Sequence, residues 1–154
     1  MKRAVLLLTL GFGTLSYAGP WQGMAKEKLG GFAPGDTEDS VRDKLGKPPR
    51  ELPAARDGSH YVKEWSYPDV TFLFAGPQQG PFTVIDVSTR TKLTTSEGVA
   101  VGATITDLKK AYGTAVTTAG ESREYYVVDG GKVRLTFDMD DGKVFEIAFA
   151  IRDR

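Results

Sequence analysis

Between Thr94 and Thr114 the chain reads TTSEGVAVGATITDLKKAYGT, and its apolar positions Ile105, Leu108 and Tyr112 fall at i, i+3 and i+7, one face of a helix. Thr104 stands just ahead of that run and Asp107 three residues after it. The threonine can accept from a free backbone N–H while the aspartate returns the bond near the positive end of the helix dipole. Lys109 and Lys110 suit the negative end, and Gly113 follows as a residue able to leave the helix with positive φ. A helix of about two turns does not persist alone in water, because nucleation costs more than a few hydrogen bonds return. Ile105, Leu108 and Tyr112 are therefore expected to be core.

The same landmarks occur earlier. Gly31, Gly35, Thr37 and Gly46 precede Gly98, Gly102, Thr104 and Gly113 by 67 positions each, and at that offset Phe32, Val41 and Leu45 correspond to Val99, Leu108 and Tyr112. Only Glu38 departs, standing where the later copy has Ile105. After each helix the period changes to two. Tyr61 to Tyr67, Val70 to Phe74 and Phe82 to Thr89 read as strands, as do Arg123 to Val128, Lys132 to Phe137 and Lys143 to Ile151. The Pro-rich stretch Lys47 to Pro53 reads as a loop that stops the first helix, and Thr89 to Thr95 as an extended link able to add a strand. Asp129-Gly130-Gly131 and Asp141-Gly142 are tight-turn sequences.

These patterns predict an α+β fold of two tandem repeats, each a short capped helix followed by a three-stranded antiparallel meander, with the helices on one sheet face. Residues 31–89 form the first repeat and 90–154 the second, after a lead-in at 19–30 that shows no period. A unit of about 60 residues buries too little surface to be comfortable alone, so the two are expected to share a core.

Residues 1–18 have the plan of a secretory signal: Lys2 and Arg3, an apolar run from Ala4, and Ser16-Tyr17-Ala18 as a cleavage site. The expected compartment is therefore outside the cytoplasm, periplasmic or extracellular. No segment has the length and apolarity of a membrane-spanning helix, which takes about 20 residues. The chain has 20 basic and 20 acidic residues and no cysteine. Such a balance makes no case for nucleic acid or an anionic membrane. Without cysteine there is no disulfide framework, thiolate metal site, cysteine nucleophile or lipid-anchor acceptor.

The motif Gly-x-Thr, an aliphatic residue in mid-helix, a closing Gly and then a meander with an aromatic first strand resembles the SmpA/OmlA family of small envelope assembly lipoproteins. It is also similar to the β-lactamase inhibitory protein group, which carries a helix-plus-sheet module in tandem. The resemblance covers Gly31 to Arg154 and implies a sheet with helices on one face and the other face open to a protein partner. This chain lacks the lipoproteins' cleavage-site cysteine and the inhibitors' disulfides.

Candidate chemistry is sparse. Asp138, Asp140 and Asp141 precede Gly142, but the spacing omits the ligands a calcium loop needs, and a solvated turn accounts for them. His60 is the sole histidine and sits in a polar loop, without cysteines for zinc or a nucleophile motif for a triad. Asp86 and Glu146 occupy equivalent places, which points to a structural role. No cofactor, metal or catalytic residue is predicted. The expected function is a non-enzymatic protein-binding module in envelope assembly or in inhibition of an exported protein. The rival is a small-molecule binder or enzyme using the cleft between repeats. If Phe145, Ile147, Phe149, Ile151, Val133, Leu135, Phe137, Tyr126 and Val128 face the helices, alternation places Tyr125, Val127, Arg134, Thr136 and Glu146 on the opposite face, the candidate binding surface. Tyr and Arg are frequent anchors at such surfaces.

Overall fold

The computed structural model describes residues 19–118 and 125–152. The expected signal at 1–18, and Arg123 and Glu124 at the start of an expected strand, lie outside them. The elements are α1 (Glu38–Leu45), β1 (Arg50–Asp57), β2 (His60–Ser66), β3 (Thr71–Gly76), β4 (Thr83–Thr89), α2 (Ile105–Tyr112), β5 (Val116–Thr118), β6 (Tyr125–Asp129), β7 (Val133–Asp140) and β8 (Lys143–Ile151). All eight strands form one antiparallel sheet in the order β1-β2-β3-β4-β8-β7-β6-β5. The expected α+β pair of helix-plus-three-strand repeats is thereby corrected. The fold is mostly sheet, one continuous structure to which two eight-residue helices are added.

Two strands account for the difference. β1 arises from the stretch read as a loop: Pro53 falls where its register with β2 shifts between Leu52 and Ala55, and an edge strand tolerates proline there. Every β1 residue is exposed, so no alternation marks it. β5 is three residues long and equally patternless. The middle of the sheet is the pairing of β4 with β8, Asp86 with Ala150 through Thr89 with Ile147, which makes the halves continuous.

Both helices dock through the same contacts with the sheet. Gly35 donates its N–H to the Val84 carbonyl at 2.7 Å, and Val84 donates to the Asp36 carbonyl at 2.8 Å; Gly102 and Ala103 make the matching pair with Val144 at 2.7 and 2.8 Å. The α2 cap has both predicted bonds, Asp107 N–H to Thr104 Oγ1 at 3.3 Å and Thr104 N–H to Asp107 Oδ2 at 2.8 Å. At α1, Glu38 replaces the apolar residue and pairs with Lys63 of β2. Val41 and Leu108 are fully buried in a single core with Trp65, Phe72, Phe74, Leu135, Phe137, Ile147 and Phe149.

Inward placement of Phe145 is also corrected. Asp138 pairs with Glu146 but Met139 with Val144, so Phe145 is the extra residue of a β-bulge and is 41% exposed, while Val144 is buried in its stead. Ile151, at the end of β8, is exposed too.

The lead-in is ordered. Gln22–Lys26 form a 3-10 turn, Trp21 donates its N–H to the Asp129 carbonyl at 2.7 Å, and its ring meets Tyr112 edge-on with centroids 5.1 Å apart. Glu27 is 3% exposed, yet its carboxylate is satisfied: it accepts from the N–H of Ser96 at 2.6 Å, the N–H of Lys28 at 3.1 Å and the hydroxyl of Tyr112 at 3.3 Å. Burial, chiefly, raises the Tyr112 pKa, so that hydroxyl stays protonated and donates.

Candidate functional site

Among the described residues the two helices and the segments leading into them bury their side chains on one face of the sheet. On the other face the register lays side chains out in rows. One row crosses seven strands through Ser66, Thr71, Ser88, Ala148, Thr136, Val127 and Thr117. Beside it run Glu64, Leu73, Asp86, Ala150, Arg134 and Asp129, and on its other flank Glu146, Asp138 and Tyr125. Small side chains thus floor the middle of the face, with charged and aromatic ones around them.

All five residues of the expected binding surface fall on this face, in three adjacent rows of β6, β7 and β8. Their exposure differs. Tyr125 is 42% exposed and Arg134 is open, whereas Thr136 and Glu146 are half-buried. Val127 is only 9% exposed, which removes it from the open patch: it lies between Thr117 and Thr136 on strands that flank it closely.

The electrostatics centre on Glu146, expected on this face, together with Asp86 and Asp138, which the sequence did not single out for it. Asp86 lies between Leu73 and Ala150, whose side chains offer it no hydrogen bond. Burial first, and the nearby charge of Glu146 second, push its pKa from 3.8 up to about 6. Burial and Glu146 also raise the Asp138 carboxyl, against the opposing effect of Arg90. Arg90 donates its Nε–H to Glu146 Oε2 at 2.6 Å and so holds that carboxylate at the rim. The middle of the face therefore carries carboxylates whose charged forms burial disfavours. The signal for Asp86 was its correspondence with Glu146; its desolvation depends on strand neighbours that only the register supplies.

At the rim a polar cavity of about 330 Å³ is bounded by the Tyr67–Thr71 turn, Ser88, Arg90, Thr91 and Glu146. Within it Thr91 donates its hydroxyl to Asp69 Oδ1 at 2.8 Å. Among the described residues no group of three or more His, Asp or Glu is placed to hold a metal ion. Asp138 lies on the outer face, while Asp140 and Asp141 flank the β7–β8 hairpin, where Asp141 and Gly142 have φ of 47° and 72°. His60 opens β2, exposed, with Nδ1 at 3.0 Å from Ser59 Oγ.

No protein-family model matches the chain, and no curated protein does. Among solved structures it is similar to a DUF4309-family protein, YjgB, of Bacillus subtilis, with a TM-score of 0.42 and 21% identity over 75% of this chain and 78% of that one. It is also similar to a cysteine-rich secretory protein, SAV1118, of Staphylococcus aureus, with a TM-score of 0.47 and 10% identity over 77% of this chain and 43% of that one, less than half the length of that protein. Neither likeness is strong enough to carry an activity to this chain, and neither bears on the SmpA/OmlA or inhibitory-protein resemblance.

Proposed function

We propose that this chain is an exported, non-enzymatic module, periplasmic or extracellular, that binds another protein through the outer face of its sheet. The observation that carries this reading is the composition of that face: a broad floor of small residues bordered by Tyr125, Arg134 and the carboxylates of Asp86, Asp138 and Glu146. A wide, shallow surface suits a folded partner better than a small molecule, which needs an enclosing pocket. Its partner brings basic groups, since a cation set against Asp86 and Asp138 offsets the desolvation that raises both pKa values. Export is supported by the signal-like residues 1–18. No helix among the described residues is long and apolar enough to cross a membrane.

The test is site-directed photo-crosslinking in the exporting cell, with the crosslinking residue at Arg134 on the outer face or at Arg42 on α1. One defined protein adduct is expected from position 134 and none from 42. In purified form, Tyr125→Ala with Asp138→Lys should weaken binding of that adduct's partner at least tenfold, about 1.4 kcal/mol. Equal adducts from both positions, or unchanged binding, would remove the face from consideration.

A further inference from the structure

The loops that lead into the two helices correspond at the offset of 67, and their backbones agree: Gly31 and Gly98 have φ of 86° and 83°, Gly35 and Gly102 of 96° and 93°. Ahead of α1, two charged side chains close the space between loop and helix. Lys44 donates its ammonium to the Gly31 carbonyl at 3.1 Å and lies over the Phe32 ring, 4.9 Å from its centre. Asp36 accepts from the Ala33 N–H at 3.0 Å through Oδ2.

At α2 the residues in those places are Ala111, Val99 and Ala103, each smaller than its counterpart and none with a side chain able to make those bonds. A cavity of about 500 Å³ stands there instead, with Gly98, Ala100, Ala103 and Ala111 on its wall. Among the described residues the Gly98 carbonyl and the Ala100 N–H have no hydrogen-bond partner. Val99, between them, commits its own N–H and carbonyl to Thr95, to Oγ1 at 3.1 Å and from the N–H at 2.9 Å. Glu97 and Lys110 add one charge of each sign to the wall, whereas the Asp107 carboxylate there is already engaged by the Thr104 N–H and hydroxyl.

We propose that this cavity binds a free aliphatic α-amino acid as its zwitterion. The ammonium donates to the Gly98 carbonyl, as Lys44 does to Gly31, with Glu97 as its counter-charge. The carboxylate accepts from the Ala100 N–H, as Asp36 does from Ala33, with Lys110 as its counter-charge. An amine or an acid alone would satisfy one backbone group and leave the other. Those groups flank a single residue, so the charges that meet them lie close together, as they do on one α-carbon. The alanine methyls leave room for an aliphatic side chain, and the volume is that of a small-molecule site. The cavity is on the helix side of the sheet, so it and the proposed protein-binding face stand or fail separately.

The probe is leucine, titrated into the intact isotope-labelled protein and followed by amide NMR, beside isopentylamine and isocaproate, which keep its carbon frame and lose one charge each. A saturable shift of the Ala100 amide is expected from leucine, with a Kd below about 10 mM, and binding at least tenfold weaker from either analogue. Ala111→Lys and Ala103→Asp copy the α1 arrangement and should each weaken leucine binding at least tenfold. The proposal is overturned by no saturable Ala100 shift up to about 10 mM, by equal saturation with either analogue, or by unchanged binding in both variants. The analogue comparison uses the unaltered protein, so it decides the matter even where a variant does not fold.

Discussion

Asp86 shows how much a single side chain's surroundings decide. Folding moves its carboxyl from between solvent-exposed conformations to a strand position beside Leu73 and Ala150, and its pKa rises from 3.8 to about 6. The folded state thus favours the protonated form. The associated stability is fully present below the unfolded value, and it is lost as pH rises through the folded one. Asp86→Asn keeps the shape and removes the charge. It should stabilise the protein at about pH 7.5 by roughly 1–3 kcal/mol and have little effect near pH 4. Denaturant unfolding of both proteins at the two pH values checks this, and an equal effect at both would place the cause in packing instead of ionisation. A bound partner with a basic group against Asp86 would also lower that pKa, so the same residue links stability to the proposed binding face.

At the scale of elements, legibility follows how many independent signals a segment carries. α2 was readable because its apolar spacing, cap and terminal glycine agree, and the Asp107 carboxyl is lowered first by its bond with the Thr104 backbone and then by the Thr104 side chain. Thr104→Ala should therefore cost about 0.5–2 kcal/mol, measured by denaturant unfolding, whereas Thr106→Ala, two residues on and exposed, should cost far less. A loss below about half a kcal/mol for Thr104 would show that the cap does not hold the helix. The six expected strands lie within a few residues of β2, β3, β4, β6, β7 and β8 because each buries one face and alternates. β1 and β5 bury almost nothing and so leave no pattern, and β1 in addition contains Pro53. The bulge at Phe145 was hidden for a related reason: one inserted residue reverses parity without changing composition. The candidate face was readable in direction, since Tyr125, Arg134, Thr136 and Glu146 do lie outward, but the burial of Val127 depends on β5, which the pattern did not disclose.

Taken whole, the molecule is interlocked in a way that chain order conceals. The lead-in precedes α1, yet it packs on the other end of the protein: Trp21 on Tyr112 and Asp129, Glu27 on Ser96 and Tyr112, Leu29 in a bridge with Thr95. The link after β4 is held from the same side, and the sheet runs unbroken across the β4–β8 pairing. Neither half therefore closes its own core, and units of about 60 residues are marginal even when they do. The protein should unfold as one cooperative system. Its two tryptophans make this measurable, because Trp21 reports on the α2 end and Trp65 is buried on β2 beneath α1, where Arg42 lies over its ring. In Trp21→Phe and in Trp65→Phe, the remaining tryptophan's fluorescence is expected to change at the same urea concentration as that variant's far-ultraviolet circular dichroism. Fluorescence and dichroism midpoints separated by more than about 0.5 M in either variant would mean that the two ends of the sheet come apart independently, despite the hydrogen bonds that join them.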